Sequence, residues 1–380
     1  MAGDVEYSGP RTVHKETVSD PAPRCEGLRR AEILEAQSKV EEHYMSWSFP
    51  VKDKISVVTG GGSGIGLSYV LLAREKGAKA VIIADIALTP AAEQAIKQDA
   101  NIVFVHCDVT KWHDLENLIQ ESIRRFGDVP DVYVASAGVF EPPYSNFWED
   151  PEPIESDGYK AVDINVNHPI KFTRLAIRAL LGKKKQGVIA LVSSIAGYSK
   201  QYTAPIYSAT RHAVVGFVRS MGDAQQLQGA KVVAICPGIV MTPLWTTGTP
   251  GAAERFGIHK DVAITPDEVA ATIGDTVESA DYPGGTIVEV SKLGKRTIPE
   301  WLIEPPGMVD GKMAEGTDVP PEMIAKALKP IIEQTEAERG RLLVFKTSPK
   351  PAHPSFAKRN PPGRPPITGG RSKLLRPIGS

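Results

Sequence analysis

Short runs of β-branched and aliphatic residues recur through the middle of the chain. Each is followed by a longer stretch in which apolar and polar positions interleave. The runs are ISVVTG, AVIIAD, IVFVHCD, DVYVASAG, GVIALVSS, KVVAICPG and GTIVEVS. Nearly continuous apolar runs of this length predict strands buried on both faces. The stretches between them, such as LSYVLLAREKG and LENLIQESIRRFG, read as helices. The alternation predicts an α/β, doubly wound parallel sheet of seven strands in one domain, residues 50–292.

The flanks lack this pattern. Residues 1–49 form an N-terminal extension: 1–28 are polar and expected to be disordered, and 27–44 have helical composition with Ile33, Leu34, Val40 and Tyr44 on a docking face. Residues 293–340 are loop-like until PEMIAKALKPIIEQTEAERGR, which predicts one helix. Residues 341–380 carry nine Lys or Arg and no Asp or Glu, so the net charge of −1 conceals a basic tail on an acidic remainder. That tail is rich in Pro and Gly and is expected to be disordered. It lacks the interleaved aromatics of a single-strand stacking platform, so no nucleic-acid partner is expected.

Composition adds little beyond limits. With 42% hydrophobic and 23% charged residues the chain has ordinary globular make-up. Its three cysteines, Cys25, Cys107 and Cys236, lie far apart without CxxC spacing. This excludes a disulfide framework or zinc cluster and fits a reducing compartment. No secretory apolar region and no membrane-length span is visible, so a soluble cytoplasmic protein is expected.

The first strand runs straight into a glycine-rich turn and an amphipathic helix, ISVVTGGGSGIGLSYVLLARE. Glycines there allow a sharp turn and bring a phosphate to the amides of a helix N-terminus. The second strand ends in Asp85, 19 residues beyond Gly66. A carboxylate at that strand end accepts hydrogen bonds from both ribose hydroxyls of an adenosine and repels a 2′-phosphate. Ser63, Ile86 and Ala87 supply no cation to offset this, which favours NAD over NADP.

Together with the serine pair 193–194 and YSATR at 207–211, these motifs resemble the short-chain dehydrogenase/reductase family over residues 50–292. The resemblance implies a Rossmann-type fold with one site. Thr59, Gly60, Ser63, Gly64, Ile65 and Gly66 match the cofactor turn, Asp85 the NAD-selecting acid, and Asp108 and Val109 the adenine pair. Gly138, Pro237, Gly238, Val240 and Thr242 match segments facing the nicotinamide half. Asn165, Ser194 and Tyr207 match catalytic positions, with Ser194 lying 13 residues before Tyr207. Two departures stand out. The family's central NNAG reads Ala135-Ser136-Ala137-Gly138, and Arg211 replaces the usual active-site lysine.

A phenol ionises near pH 10, so service as a base near neutrality takes a drop of about 3 units, or ~4 kcal/mol. A cation one helical turn away supplies part of this, and arginine never loses its charge. It also cannot release a proton into a relay. Tyr207 and Arg211 are therefore expected both to catalyse and to touch the cofactor, with Ser194 orienting the substrate oxygen. His168 and His212 are assigned structural or surface places, and Cys236 an inert core place. Trp245, Phe256 and Ile258, in the segment where the family carries its substrate lid, favour a hydrophobic secondary alcohol or ketone. In this the chain is similar to the 15-hydroxyprostaglandin dehydrogenase type and to fungal secondary-metabolism dehydrogenases. The resemblance also implies a homodimer or homotetramer through helices around 159–181 and 207–228. The alternative is a catalytically impaired NAD(H)-binding protein with a regulatory or scaffolding role, for which Arg211 and the long tails speak.

Overall fold

The computed structural model describes residues 47–245, 251–255, 258–300, 308–309, 312–313 and 321–341. The expected helix at 27–44, the disordered segment 1–28, Phe256 and the basic tail beyond Arg341 lie outside the described residues.

Each apolar run becomes a strand. They are β1 (Ile55–Thr59), β2 (Ala80–Asp85), β3 (Ile102–His106), β4 (Val132–Ala135), β5 (Gly187–Val192), β6 (Ala230–Pro237) and β7 (Ile287–Ser291). Strands β1, β4 and β6 are buried throughout, as a sheet covered on both faces requires. The sheet order is β3-β2-β1-β4-β5-β6-β7-β8, with the first seven parallel. The eighth strand, β8 (Gly294–Thr297), folds back antiparallel on β7 and was not indicated by the sequence. All four of its residues are exposed, so it has no apolar face to betray it. A short hairpin, β9 (Met308–Val309) and β10 (Lys312–Met313), follows.

Helices cover both faces. α1 (Gly64–Glu75) and α2 (Pro90–Gln98) follow β1 and β2, and α3 (Trp112–Phe126) follows β3. α4 (Lys160–Val162) passes through a π-helical turn, Asp163–Asn167, into α5 (His168–Gly182). α6 (Pro205–Ser220), α7 (Ala224–Gln228), α8 (Ala252–Arg255), α9 (Pro266–Glu278) and α10 (Pro321–Glu338) complete the set. Leu67, Val70 and Ala73 of α1 join Val269, Ile273 and Val277 of α9 over one sheet face, around Val58, Val134 and Ile235. On the opposite face Tyr133 meets Phe172 of α5 edge-on at 5.6 Å. Full burial of each of the Leu, Val, Ile and Phe side chains among these contributes roughly 1.5–3 kcal/mol.

The helix predicted in the C-terminal extension forms as α10 and docks on α5 and α7. Glu338, buried, pairs with Arg174 and with Arg178 at 3.7 Å. Gln228 donates to Thr335 Oγ1 at 3.1 Å, and Gly340 N–H to the Leu181 carbonyl at 2.8 Å. The extension thus covers part of α5, one of the helices for which the resemblance implied subunit contacts.

Candidate active site

Strand order reverses between β1 and β4, so the connections leaving their carboxyl ends turn to opposite faces of the sheet and leave a crevice between them. There lies a cavity of about 690 Å³. Its walls include Gly60, Ser63, Gly64, Ile65, Asp85, Asp108 and Val109 from one half of the sheet. The other half brings Gly138, Ser194, Tyr207, Arg211, Pro237, Gly238, Val240 and Thr242. Three of the residues singled out in the sequence stand behind this wall: Thr59, Gly66 and Asn165.

The turn after β1 is shaped by close backbone approach. Gly60 has φ +67°, and a Cβ there would stand 2.7 Å from Ala137 N. Gly66 packs directly on the Gly60 carbonyl, and the Thr59 hydroxyl reaches back to the Val134 carbonyl at 3.4 Å. Asp85 closes the turn from β2: Oδ2 accepts from Gly62 N–H at 2.9 Å and Oδ1 from Ile86 N–H at 2.8 Å. Asp108 accepts from the Thr110 amide and hydroxyl at 3.0 and 2.7 Å. These residues fit a dinucleotide: a side-chain-free cradle at a helix start, with a carboxylate beside it.

Asn165 sits in the π-helical turn, a winding frequent at functional sites. Its Oδ1 accepts from Val139 N–H at 2.9 Å, and its Nδ2 donates to the Val139 carbonyl at 2.9 Å and to Thr210 Oγ1 at 3.2 Å. It ties the segment after β4 to α6.

Pro205 opens α6, and both Tyr207 and Arg211 are buried on its inner face. The Arg211 guanidinium lies over the Tyr207 ring, Cζ 4.8 Å from its centroid. Arg211 Nη1 donates to the Val192 carbonyl at 3.1 Å. Nη2 fills the space before Gly138, where a Cβ would lie 2.5 Å from it. Ser193 Oγ donates to the Arg211 carbonyl at 3.1 Å, joining the end of β5 to α6. Ser194 Oγ accepts from Ala196 N–H at 3.1 Å, which leaves its own proton to donate. Beside it, burial pushes the Cys236 thiol up to about 12, so it stays protonated and inert.

Two residues at this site were not singled out in the sequence. Phe140 packs edge-on against Tyr207 and tilted on Trp245, each at 4.7 Å. Ala196, Ala204 and Leu244 complete this apolar cluster. Glu141 accepts from Tyr207 N–H at 3.0 Å and from Phe147 N–H at 3.2 Å. Both lie in a proline-containing segment without periodicity, and only their nearness to Gly138 could have flagged them. Of the expected lid, Trp245 lines the cavity and Ile258 is buried.

A parallel sheet with this crevice, turn and tyrosine–arginine helix defines a nucleotide-dependent oxidoreductase architecture. The short chain dehydrogenase family model matches residues 54–251, and the chain belongs to that family. L-Fucose dehydrogenase of Bos taurus is 35% identical over 243 residues, 61% of this chain and 86% of that protein. (+)-Borneol dehydrogenase 2 of Salvia officinalis is 32% identical over 202 residues, 52% of this chain and 69% of that protein. The crystal structure of gox2181 matches with a TM-score of 0.54 at 27% identity, covering 63% of this chain and 94% of that one. The protein is an oxidoreductase acting on CH–OH groups, in a family that uses nicotinamide cofactors. No described helix is long and apolar enough to cross a membrane.

Proposed function

We propose that this chain interconverts a hydrophobic secondary alcohol and its ketone with NAD(H). The observation that carries the reading is the convergence of Ser194, Tyr207 and Arg211 on one cavity whose far end holds Asp85. A nicotinamide held by the glycine turn and Asp85 would supply hydride exchange at the carbinol carbon. Tyr207 takes or gives the hydroxyl proton, Ser194 donates to the same oxygen and orients it, and the Arg211 guanidinium lies over the Tyr207 ring as the adjacent positive charge. Asn165 braces the segment carrying Gly138 against α6.

Asp85 supports NAD as the cofactor, since a carboxylate repels a 2′-phosphate. Among the described lining residues the only Lys or Arg are Lys160 and Arg211. The relatives' names point to unlike substrates, a sugar and borneol. Phe140, Leu244 and Trp245 around Tyr207 favour an apolar one. The likeness to the 15-hydroxyprostaglandin type and to fungal secondary-metabolism dehydrogenases belongs to this proposal and points the same way. So does a homo-oligomer, with α10 restricting which face of α5 is free.

Fluorescence titration with NADH and NADPH, followed by turnover assays on bicyclic alcohols and on free sugars, tests the reading. Tighter NADH binding and turnover of the apolar alcohols support it; binding of neither cofactor removes it.

A further inference from the structure

Arg211 keeps a buried donor that its surroundings do not use. Nη1 donates to Val192 and Nη2 is wedged at Gly138, but the buried Nε–H has no acceptor among the described residues. Such an orphaned donor costs about 1–3 kcal/mol.

The helix beside it shows the opposite lack. His168, at the start of α5, is fully buried. Its Nδ1 lies 3.1 Å from the Ile164 carbonyl, which can only accept, so Nδ1 carries the proton. Nε2 of the neutral ring is then a bare acceptor, and it too has no partner among the described residues. The ring is kept neutral: burial first, then the Arg211 guanidinium, bring its pKa down to about 4. His168 stands three residues beyond Asn165. His168 directly follows the π-helical turn whose Asn165 donates to Thr210, the residue before Arg211, and the Arg211 charge acts on the imidazole, so the two side chains lie near each other.

We propose that His168 is a positioning residue for Arg211, with one buried water accepting from Arg211 Nε–H and donating to His168 Nε2. A site needs two or more polar partners to hold such a water, and these two atoms are complementary. The bridge fixes the guanidinium plane against the Tyr207 ring and Gly138. A lysine side chain in place of Arg211 has no Nε–H, so the pairing is particular to the arginine. His168 thereby acquires a role where the sequence offered only a structural place. The link to catalysis rests on the function proposed above; the pairing itself does not.

The test is a double-mutant cycle of His168→Leu and Arg211→Lys, with His168→Gln as the acceptor-restoring variant. NADH affinity and melting temperature are read for each. With Arg211 present, His168→Leu is expected to weaken NADH binding about tenfold and lower the melting temperature, and His168→Gln to recover most of both. In the Arg211→Lys background, His168→Leu is expected to change affinity less than about twofold. Equal losses in both backgrounds would overturn the pairing, as would a folded His168→Gln protein that behaves like the leucine variant. If the wild type binds neither cofactor, the proposed function falls, while coupling in the melting temperatures still decides the pairing.

Discussion

Gly138 and Arg211 share one space: a Cβ on residue 138 would stand 2.5 Å from Arg211 Nη2 and 3.3 Å from Asn165 Oδ1. The side-chain-free position three residues beyond β4 leaves room for the arginine side chain that lies over Tyr207. Gly138→Ala is expected to push the guanidinium off the Val192 carbonyl, lowering kcat/KM about 10–100-fold and stability by about 1–3 kcal/mol. Adding Arg211→Lys should restore much of the stability, because a narrow ammonium leaves room for the methyl. Steady-state kinetics and urea unfolding of both variants check this. A double variant no more stable than Gly138→Ala would show that the wedge is immaterial.

Glu141 holds the first turn of the same helix. It adopts φ +32°, outside the usual range for a side-chain-bearing residue, and its carboxylate bonds the amides of Tyr207 and Phe147. It therefore caps α6 at Tyr207, whose ring packs against Phe140. Glu141→Ala is expected to cost about 1–2 kcal/mol in urea unfolding and to lower kcat several-fold. Glu141→Gln keeps one acceptor oxygen and should lie between it and wild type. Equal loss in both variants would mean that the charge, not the acceptor, is what matters.

The strands and the glycine turn were legible because burial on both faces demands unbroken apolar runs, and the cradle demands glycine. Strand β8 was not, since GKRT is an exposed edge held by backbone pairing and by the Arg296–Glu289 ion pair at 2.9 Å. Ser194, Tyr207 and Arg211 could be placed by their spacing on one strand end and one helix. Glu141 and His168 could not: the contact Glu141 makes, and the one proposed for His168, exist only in three dimensions. Glu141 lies 66 positions from its Tyr207 amide. The role proposed for His168 depends on which atoms burial leaves unpaired, and no sequence pattern records that.

Asp85 uses both carboxylate oxygens on the amides of Gly62 and Ile86 while facing the cavity. Replacing it by asparagine removes the charge and keeps one acceptor. The ratio of kcat/KM for NAD over NADP is expected to fall at least tenfold, through a gain with NADP more than a loss with NAD. Kinetics with the two cofactors at fixed alcohol concentration measure it. An unchanged ratio would assign the preference to some group other than Asp85.

His168 also predicts how stability responds to acid. Its folded pKa is about 4 against the ordinary 6.5, with Arg211 the charged group that faces it. Between those values the unfolded chain takes up a proton that the folded chain refuses. Stability is therefore complete above about pH 6.5, falls as pH drops, and levels off below about pH 4. The distance between the two values corresponds to a loss of roughly 3 kcal/mol. Glu338 acts later. Although burial alone would raise its pKa, the bonds from Arg174 and Gln334 bring it below the usual 4.5, so its contribution disappears only as pH falls below that. The window from pH 6.5 to 4.5 thus belongs to His168 rather than to the clamp on α10. Urea unfolding at about pH 7, 5.5 and 4.5 should show a progressive loss in wild type that His168→Leu lacks. A flat wild-type response across that window would mean that the imidazole is not held neutral in the fold, and the acceptor assigned to Arg211 would go with it.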